Sequence, residues 1–180
     1  MKIIKWKHGD QPTVIDKKIA IAIGNFDGVH KGHVRLLEAA KVKALENDLA
    51  FGVVTFDPHP RDFFNFNNSS FKLLDRQEKE YQLAKIGVEY LIIIEFSEAL
   101  KNCTPNEFLS DILYQQLNVV KMFAGANFRF GKNREGTIQN SKEFSQAIGL
   151  EIITVDLEQT KSLDGKDKTV ISSQSIRGLI

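Results

Sequence analysis

The sequence predicts a doubly wound α/β fold, a five-stranded parallel sheet with helices on both faces. Two observations carry the prediction. Short, almost wholly apolar runs alternate along the chain with segments that bear helix signals. Strands that are apolar throughout belong to parallel sheets covered on both sides. The glycine-rich and polar stretches follow these runs, at the strand ends where open α/β sheets bind ligands.

Taken in order, Ile19 to Ile23 reads as the first strand. Lys31 to Leu45 carries Val34, Leu37, Ala40 and Ala44 at helical spacing. Ala50 to Phe56 is a second strand, stopped by Pro58 and Pro60. Asp75 to Ile86 is helical, with Asp75 and Glu78 spaced as a capping pair and Gly87 as the stop. Tyr90 to Phe96 is a third strand. Thr104 fits an N-cap, because Pro105 follows at the first helical position and Glu107 lies three residues on. That helix reaches about Gln116. Val119 to Ala124 is a fourth strand, Ser141 to Ile148 a short helix ended by Gly149, and Glu151 to Val155 a fifth strand. Right-handed crossovers join such elements into a Rossmann-like sheet. The stretch from Leu157 to Ile171 reads as a hairpin turning at Asp164 and Gly165. With no repeat, linker or composition shift, one domain is expected over residues 1–180.

Lys and Arg number 24 against 23 Asp and Glu, so nothing marks a nucleic-acid surface. The lone cysteine, Cys103, excludes an internal disulfide and a multi-cysteine metal site; no metal ligands are assigned. A structural thiol is the expected role. Met1 to Lys7 is not followed by a long apolar stretch, and the run Leu91 to Ile94 is too short to cross a bilayer. A cytoplasmic protein without membrane partners is expected.

The run GNFDGVHKGH, Gly24 to His33, is the most informative. Gly24, Gly28 and Gly32 let the backbone turn and approach a ligand. The helix beginning near Lys31 turns its unpaired amides towards that turn, a ready anion site. His30 and His33, three apart, share one side of the first helical turn and can donate hydrogen bonds to phosphate oxygens. The competing reading is a plain strand-to-helix turn with two solvated histidines. As a zinc pair it is poor, lacking a third ligand.

Three further motifs follow later strands. FDPHP, Phe56 to Pro60, holds His59 on a turn made rigid by Pro58 and Pro60. Arg61 and the cluster Phe63, Phe64 and Phe66 come next; they read first as anchors of the long loop through Ser70, with padding of a flat ligand ring as the alternative. GANFRFGKNREG, Gly125 to Gly136, places Phe128 and Phe130 two apart, on one face of an extended segment. Arg129, Lys132 and Arg134 there fit phosphate contact or a solvated basic loop. ISSQSIR, Ile171 to Arg177, sets Ser172 and Ser173 before a helix start, where they can cap it or meet phosphate.

These four motifs, in this order, resemble the bacterial FAD synthetase family, the adenylyltransferase part of the bifunctional riboflavin kinase/FMN adenylyltransferase. The H-x-G-H at His30 to His33 is similar to the mark of the wider nucleotidyltransferase superfamily, which implies the nucleotidyltransferase fold. By this resemblance, His30, His33 and Arg177 carry catalysis. ATP is held by Gly24, Asn25, Phe26, Asp27, Gly28, Gly32, Ser172 and Ser173. FMN is held by Phe56, Pro58, His59, Pro60, Asn127, Phe128, Phe130 and Gly131. For Asn25 and Asp27, turn formation stays an alternative; for the two Phe, loop packing does. The chain departs from the family pattern at Asn127, commonly Asp, and at Gln174, commonly Thr or Ser.

The resemblance implies adenylyl transfer from ATP to FMN, giving FAD and pyrophosphate, with Mg2+ accompanying ATP. The family's usual partner is a C-terminal riboflavin kinase domain. The sequence ends three residues after Arg177, so that domain is expected to be absent here, or supplied separately. Two alternatives remain: a related enzyme using another phosphate ester as acceptor, and a non-catalytic nucleotide or flavin sensor.

Overall fold

The computed structural model describes residues 1–12, 15–64, 75–157, 159–161 and 168–170. All five expected strands form: β2 (Ile19–Ile23), β3 (Ala50–Asp57), β4 (Tyr90–Glu95), β5 (Val119–Gly125) and β8 (Glu151–Val155). A sixth, β1 (Lys2–Trp6), adds at one edge. It buries Ile4 and Trp6 and turns its lysines outward, as an edge strand does to discourage further pairing. The order is β1-β4-β3-β2-β5-β8, and every pairing is parallel. β6 (Arg129–Phe130) and β7 (Gly136–Thr137) form a small antiparallel ribbon, and so do β9 (Gln159–Lys161) and β10 (Lys168–Val170). The last pair agrees with the expected hairpin, whose turn lies outside the described residues.

β2 organises the core through its alternation. Ile19, Ile21 and Ile23 point to one face, where they meet Leu109, Ile112 and Leu113. Ala20 and Ala22 point to the other, against Leu36, Leu37, Ala40 and Ala44 of helix α1 (Lys31–Glu46). Small residues on both partners let α1 pack close to the strand. All five β2 residues are at most 1% exposed, and each isoleucine contributes roughly 1.5–3 kcal/mol on burial.

Helix α3 (Arg76–Ile86) lies on the same face as α1 through Leu83. It has the expected ends, with Asp75 accepting from the Glu78 amide and Gly87 left-handed at φ 101°. The opposite face carries α4 (Glu98–Lys101), α5 (Pro105–Glu107) and α6 (Ile138–Ile148). Thr104 and Glu107 make the expected capping box, but the helix then widens into π turns over Phe108–Gln116. α6 starts at Ile138 rather than Ser141, because Thr137 and Asn140 form their own box.

From β2 the chain winds one way to β3 and β4, then returns to place β5 on the other side of β2. Strand order therefore reverses at β2 and β5. The carboxyl ends of these two strands flank the switch point where ligands enter such sheets.

Candidate active site

β2 ends at Ile23 and the turn Gly24 to Val29 leads into α1. Phe26 takes φ 50° and Gly28 takes φ 74°. The left-handed region costs a residue with a Cβ on the order of 1–3 kcal/mol. Phe26 is held there because its ring is fully buried, beside the His33 ring at a centroid distance of 5.0 Å.

His30 is the N-cap of α1, and its Nδ1 accepts from the Gly32 amide at 3.2 Å. The neutral ring must therefore carry its proton on Nε2. That Nε2 is buried without a hydrogen-bond partner among the described residues, as is Asn25 Oδ1. His33 is fixed the other way. Its Nδ1 lies 3.0 Å from the Gly28 carbonyl, an acceptor only, so Nδ1 holds the proton and Nε2 is bare. The two rings stack with centroids 3.9 Å apart. Burial lowers the proton affinity of His30. Burial first, then the neighbouring His30 and Lys79, holds His33 down at about 4, against the opposing pull of the Gly28 carbonyl. Both rings are thus neutral at pH 7.

The second motif meets the first through a contact between His59 and Asp27. His59 Nε2 lies 3.1 Å from the Asp27 carboxylate, both nearly buried. The Arg61 amide donates to His59 Nδ1 at 3.0 Å, which leaves the proton on Nε2 for Asp27. Pro58 follows a cis peptide bond and is exposed, Pro60 opens the short helix α2 (Pro60–Phe64), and Phe56 is half-buried at the end of β3.

The third motif leaves β5. Phe128 stacks on Phe130 at 5.9 Å, and Phe130 is 6% exposed, packed on Phe108 at 5.6 Å. Phe108 reaches Phe56 at 6.4 Å, and Phe56 reaches Phe96 at 6.3 Å. Phe63 and Phe64 extend the chain of rings from Phe96. Phe108 joins the second motif to the third, and Phe96 ties Phe56 to Phe63 and Phe64; the sequence reading singled out neither. Gly131 at φ 75° could carry no Cβ, which would sit 2.7 Å from the Pro105 nitrogen. Asn127, Arg129, Lys132 and Arg134 are exposed. Ser172, Ser173, Gln174 and Arg177, like Phe66, lie outside the described residues.

The family model for FAD synthetase matches residues 13–174. The chain belongs to the FAD synthetase family. The bifunctional riboflavin kinase/FMN adenylyltransferase of Buchnera aphidicola subsp. Schizaphis graminum is 32% identical over 177 residues, 98% of this chain and 54% of its own. The FAD synthetase of Listeria monocytogenes is 32% identical over 170 residues, 94% of this chain and 66% of its own. The chain therefore spans between about half and two thirds of these family members. A crystal structure from Streptococcus pneumoniae, called a macrolide-efflux protein, superposes with a TM-score of 0.77 at 26% identity, over 100% of this chain and 58% of that one. Efflux is said of that protein. Among the described residues of this family member, no helix is long and apolar enough to cross a membrane.

Proposed function

We propose that this chain transfers the AMP part of ATP to FMN, making FAD and pyrophosphate. The observation that carries the reading is the Gly24–His33 turn at the switch point. It holds a buried N–H donor, His30 Nε2, with no partner among the described residues. A buried polar atom left unpaired costs about 1–3 kcal/mol. A phosphate oxygen of ATP would satisfy it. The names of the relatives supply the acceptor: both are described by flavin chemistry.

In the proposed reaction a phosphate oxygen of FMN attacks the α-phosphorus of ATP. The new P–O bond forms as the bond to the bridging oxygen breaks, and pyrophosphate leaves. FMN phosphate is already ionised at neutral pH, so the protein's part is positioning and charge stabilisation. His30 donates from Nε2, beside the open amides of the α1 N-terminus. His33 begins neutral; the triphosphate beside it favours protonation, after which Nε2 also donates. Magnesium arrives as the MgATP complex, held by phosphate oxygens. Among the described residues no group of three His, Cys, Asp or Glu side chains converges on a metal site.

Gly24, Asn25, the Phe26 backbone, Asp27, Gly28 and Gly32 line the ATP side. Asn25 Oδ1, an acceptor, suits a hydroxyl or amino group. Ser172, Ser173 and Arg177 are assigned to the phosphates by family resemblance. Phe56, Pro58, His59, Pro60, Asn127, Phe128, Phe130 and Gly131 form the FMN side, with Phe130 acting by backing Phe128. Residues 1–180 are proposed as one adenylyltransferase domain, acting in the cytoplasm. Riboflavin kinase activity is a property named for relatives such as the Buchnera enzyme and is not assigned to these residues.

The test is pyrophosphate release from ATP, magnesium and FMN, with FAD identified by chromatography. FAD is expected. Its absence, with release on nicotinamide mononucleotide or phosphopantetheine instead, would replace the acceptor. Tight ATP and FMN binding without release would leave a sensor.

A further inference from the structure

The inward stripe of α3 contains a cation. Lys79 sits four residues before Leu83, so the two share a face, and Leu83 is fully buried against the sheet. A charged group at such a position is retained only where it meets partners. Lys79 Nζ donates to the Asn25 carbonyl at 2.8 Å and lies 3.3 Å from Thr55 Oγ1. The Thr55 hydroxyl, buried on β3, donates to the same carbonyl at 3.1 Å. One ammonium group on α3 thus joins β3 to the turn after β2, across 54 positions of sequence.

We propose that Lys79 is a positioning residue of the nucleotide site: its ammonium group fixes the Asn25 backbone at the entry to the Gly24–Gly28 turn, beside the helix end that carries His30 and His33. The proposal rests on the adenylyltransferase reading for its substrate, but not for its geometry. Fixing the Asn25 carbonyl holds the following residues in the strained path that leads through Phe26 and Gly28. The Gly28 carbonyl in turn holds His33 Nδ1. Lys79 therefore acts on His33 through the backbone and through space. Among the described residues, the groups that face the His33 ring are His30, the Phe26 ring, the Gly28 carbonyl and the Lys79 side chain. The charge opposes proton uptake by His33 in the free protein and attracts a polyphosphate.

The experiment compares the wild type with Lys79→Met and Lys79→Arg. The His33 ring is followed by NMR through a pH titration, with and without inorganic triphosphate, beside steady-state kinetics and thermal melting. Lys79→Met is expected to raise the His33 titration midpoint. It should weaken triphosphate binding and raise the KM for ATP about tenfold or more, the size of a lost charge-assisted hydrogen bond. KM for FMN should stay within about twofold. Lys79→Arg, which keeps the charge, should keep the His33 midpoint near wild type. An unchanged midpoint and unchanged triphosphate binding in Lys79→Met would overturn the proposal. Equal rises in both KM values with a lowered melting temperature would reduce Lys79 to a strut and overturn it too. If Lys79→Met fails to fold, a His33 midpoint in Lys79→Arg displaced as far as by loss of His30 would do the same. The titration and triphosphate arms need no FMN, so failure to make FAD would sink the reaction without touching them.

Discussion

The turn after β2 and the loop after β5 leave the same end of two neighbouring parallel strands, yet they are built differently. The first keeps polar atoms in reserve: His30 Nε2 and Asn25 Oδ1 are buried and unpartnered among the described residues. The second satisfies itself. The Phe128 amide bonds the Gly125 carbonyl at 3.0 Å, the Lys132 amide bonds the Cys103 carbonyl, and Phe130 fills a gap beside Phe108. The first turn carries stored cost that a charged ligand would relieve. The loop after β5 is a packed wall that a flat ring could lie against. A lesion in the first should therefore cost rate before stability, and a lesion in the second should cost stability before rate.

The largest expected effect is His30→Asn. Asparagine caps helices well, so α1 keeps its N-cap while the buried donor is lost. Removing one such donor costs on the order of a hundredfold or more in kcat. Steady-state kinetics and melting together check it. A variant that melts well below wild type but keeps its kcat would erase the contrast between the regions.

Gly131→Ala is the mirror case. Its Cβ would press into Pro105, with φ already at 75°. A loss of about 2 kcal/mol is expected, or roughly 4–8 °C in melting temperature for a chain of this size. In the assay, KM for FMN should rise while KM for ATP holds. Denaturant unfolding measures the first part. A melting temperature at the wild-type value would mean that the loop yields freely and is no wall.

Much of this contrast could be read from the residues. The strands, the Thr104 box and the Asp75 and Gly87 ends are local signals, and the structure contains each of them. The clustering of glycines and histidines from Gly24 to His33 marked the first turn. What escaped has physical causes. β1 alternates over only five residues with lysines around Ile4 and Trp6, so it looks like a polar start until β4 pairs with it. α6 uses Asn140 where a capping box usually has Glu or Gln. The π turns after Phe108 keep the apolar spacing of an ordinary helix. Lys79, Thr55, Phe96 and Phe108 act through contacts between segments distant in the chain. Only Lys79 left a trace, a cation on an inward stripe.

Acid should weaken the first turn. His33 titrates at about 4 in the folded chain against 6.5 for the free group. Between these values the unfolded state binds a proton that the folded state refuses, so stability rises with pH across that window. The contribution is fully present above about 6.5 and is lost as pH falls towards 4. It should be worth about 2 kcal/mol after allowance for partial exposure of the ring. Unfolding of the wild type and His33→Gln at pH 7 and pH 4.5 measures it, and the variant should show the shallower pH dependence. Equal slopes would place the desolvation elsewhere.

The smallest effect tests whether the wall is closed from behind. Cys103 is buried where the chain enters α5, and its carbonyl receives the Lys132 amide of the β5 loop. Burial, then the charges of Glu107 and Asp111, pushes its thiol up to about 11. Thiolate is the reactive form, so at pH 8 only about one thiol in a thousand is ready to react. A chromogenic disulfide should label the folded protein far more slowly than the unfolded one. Gly131→Ala should speed the labelling, because it pries at Pro105, two residues away. Fast labelling of the wild type would mean that the loop after β5 opens often, and the two regions would then differ in kind less than their hydrogen bonds suggest.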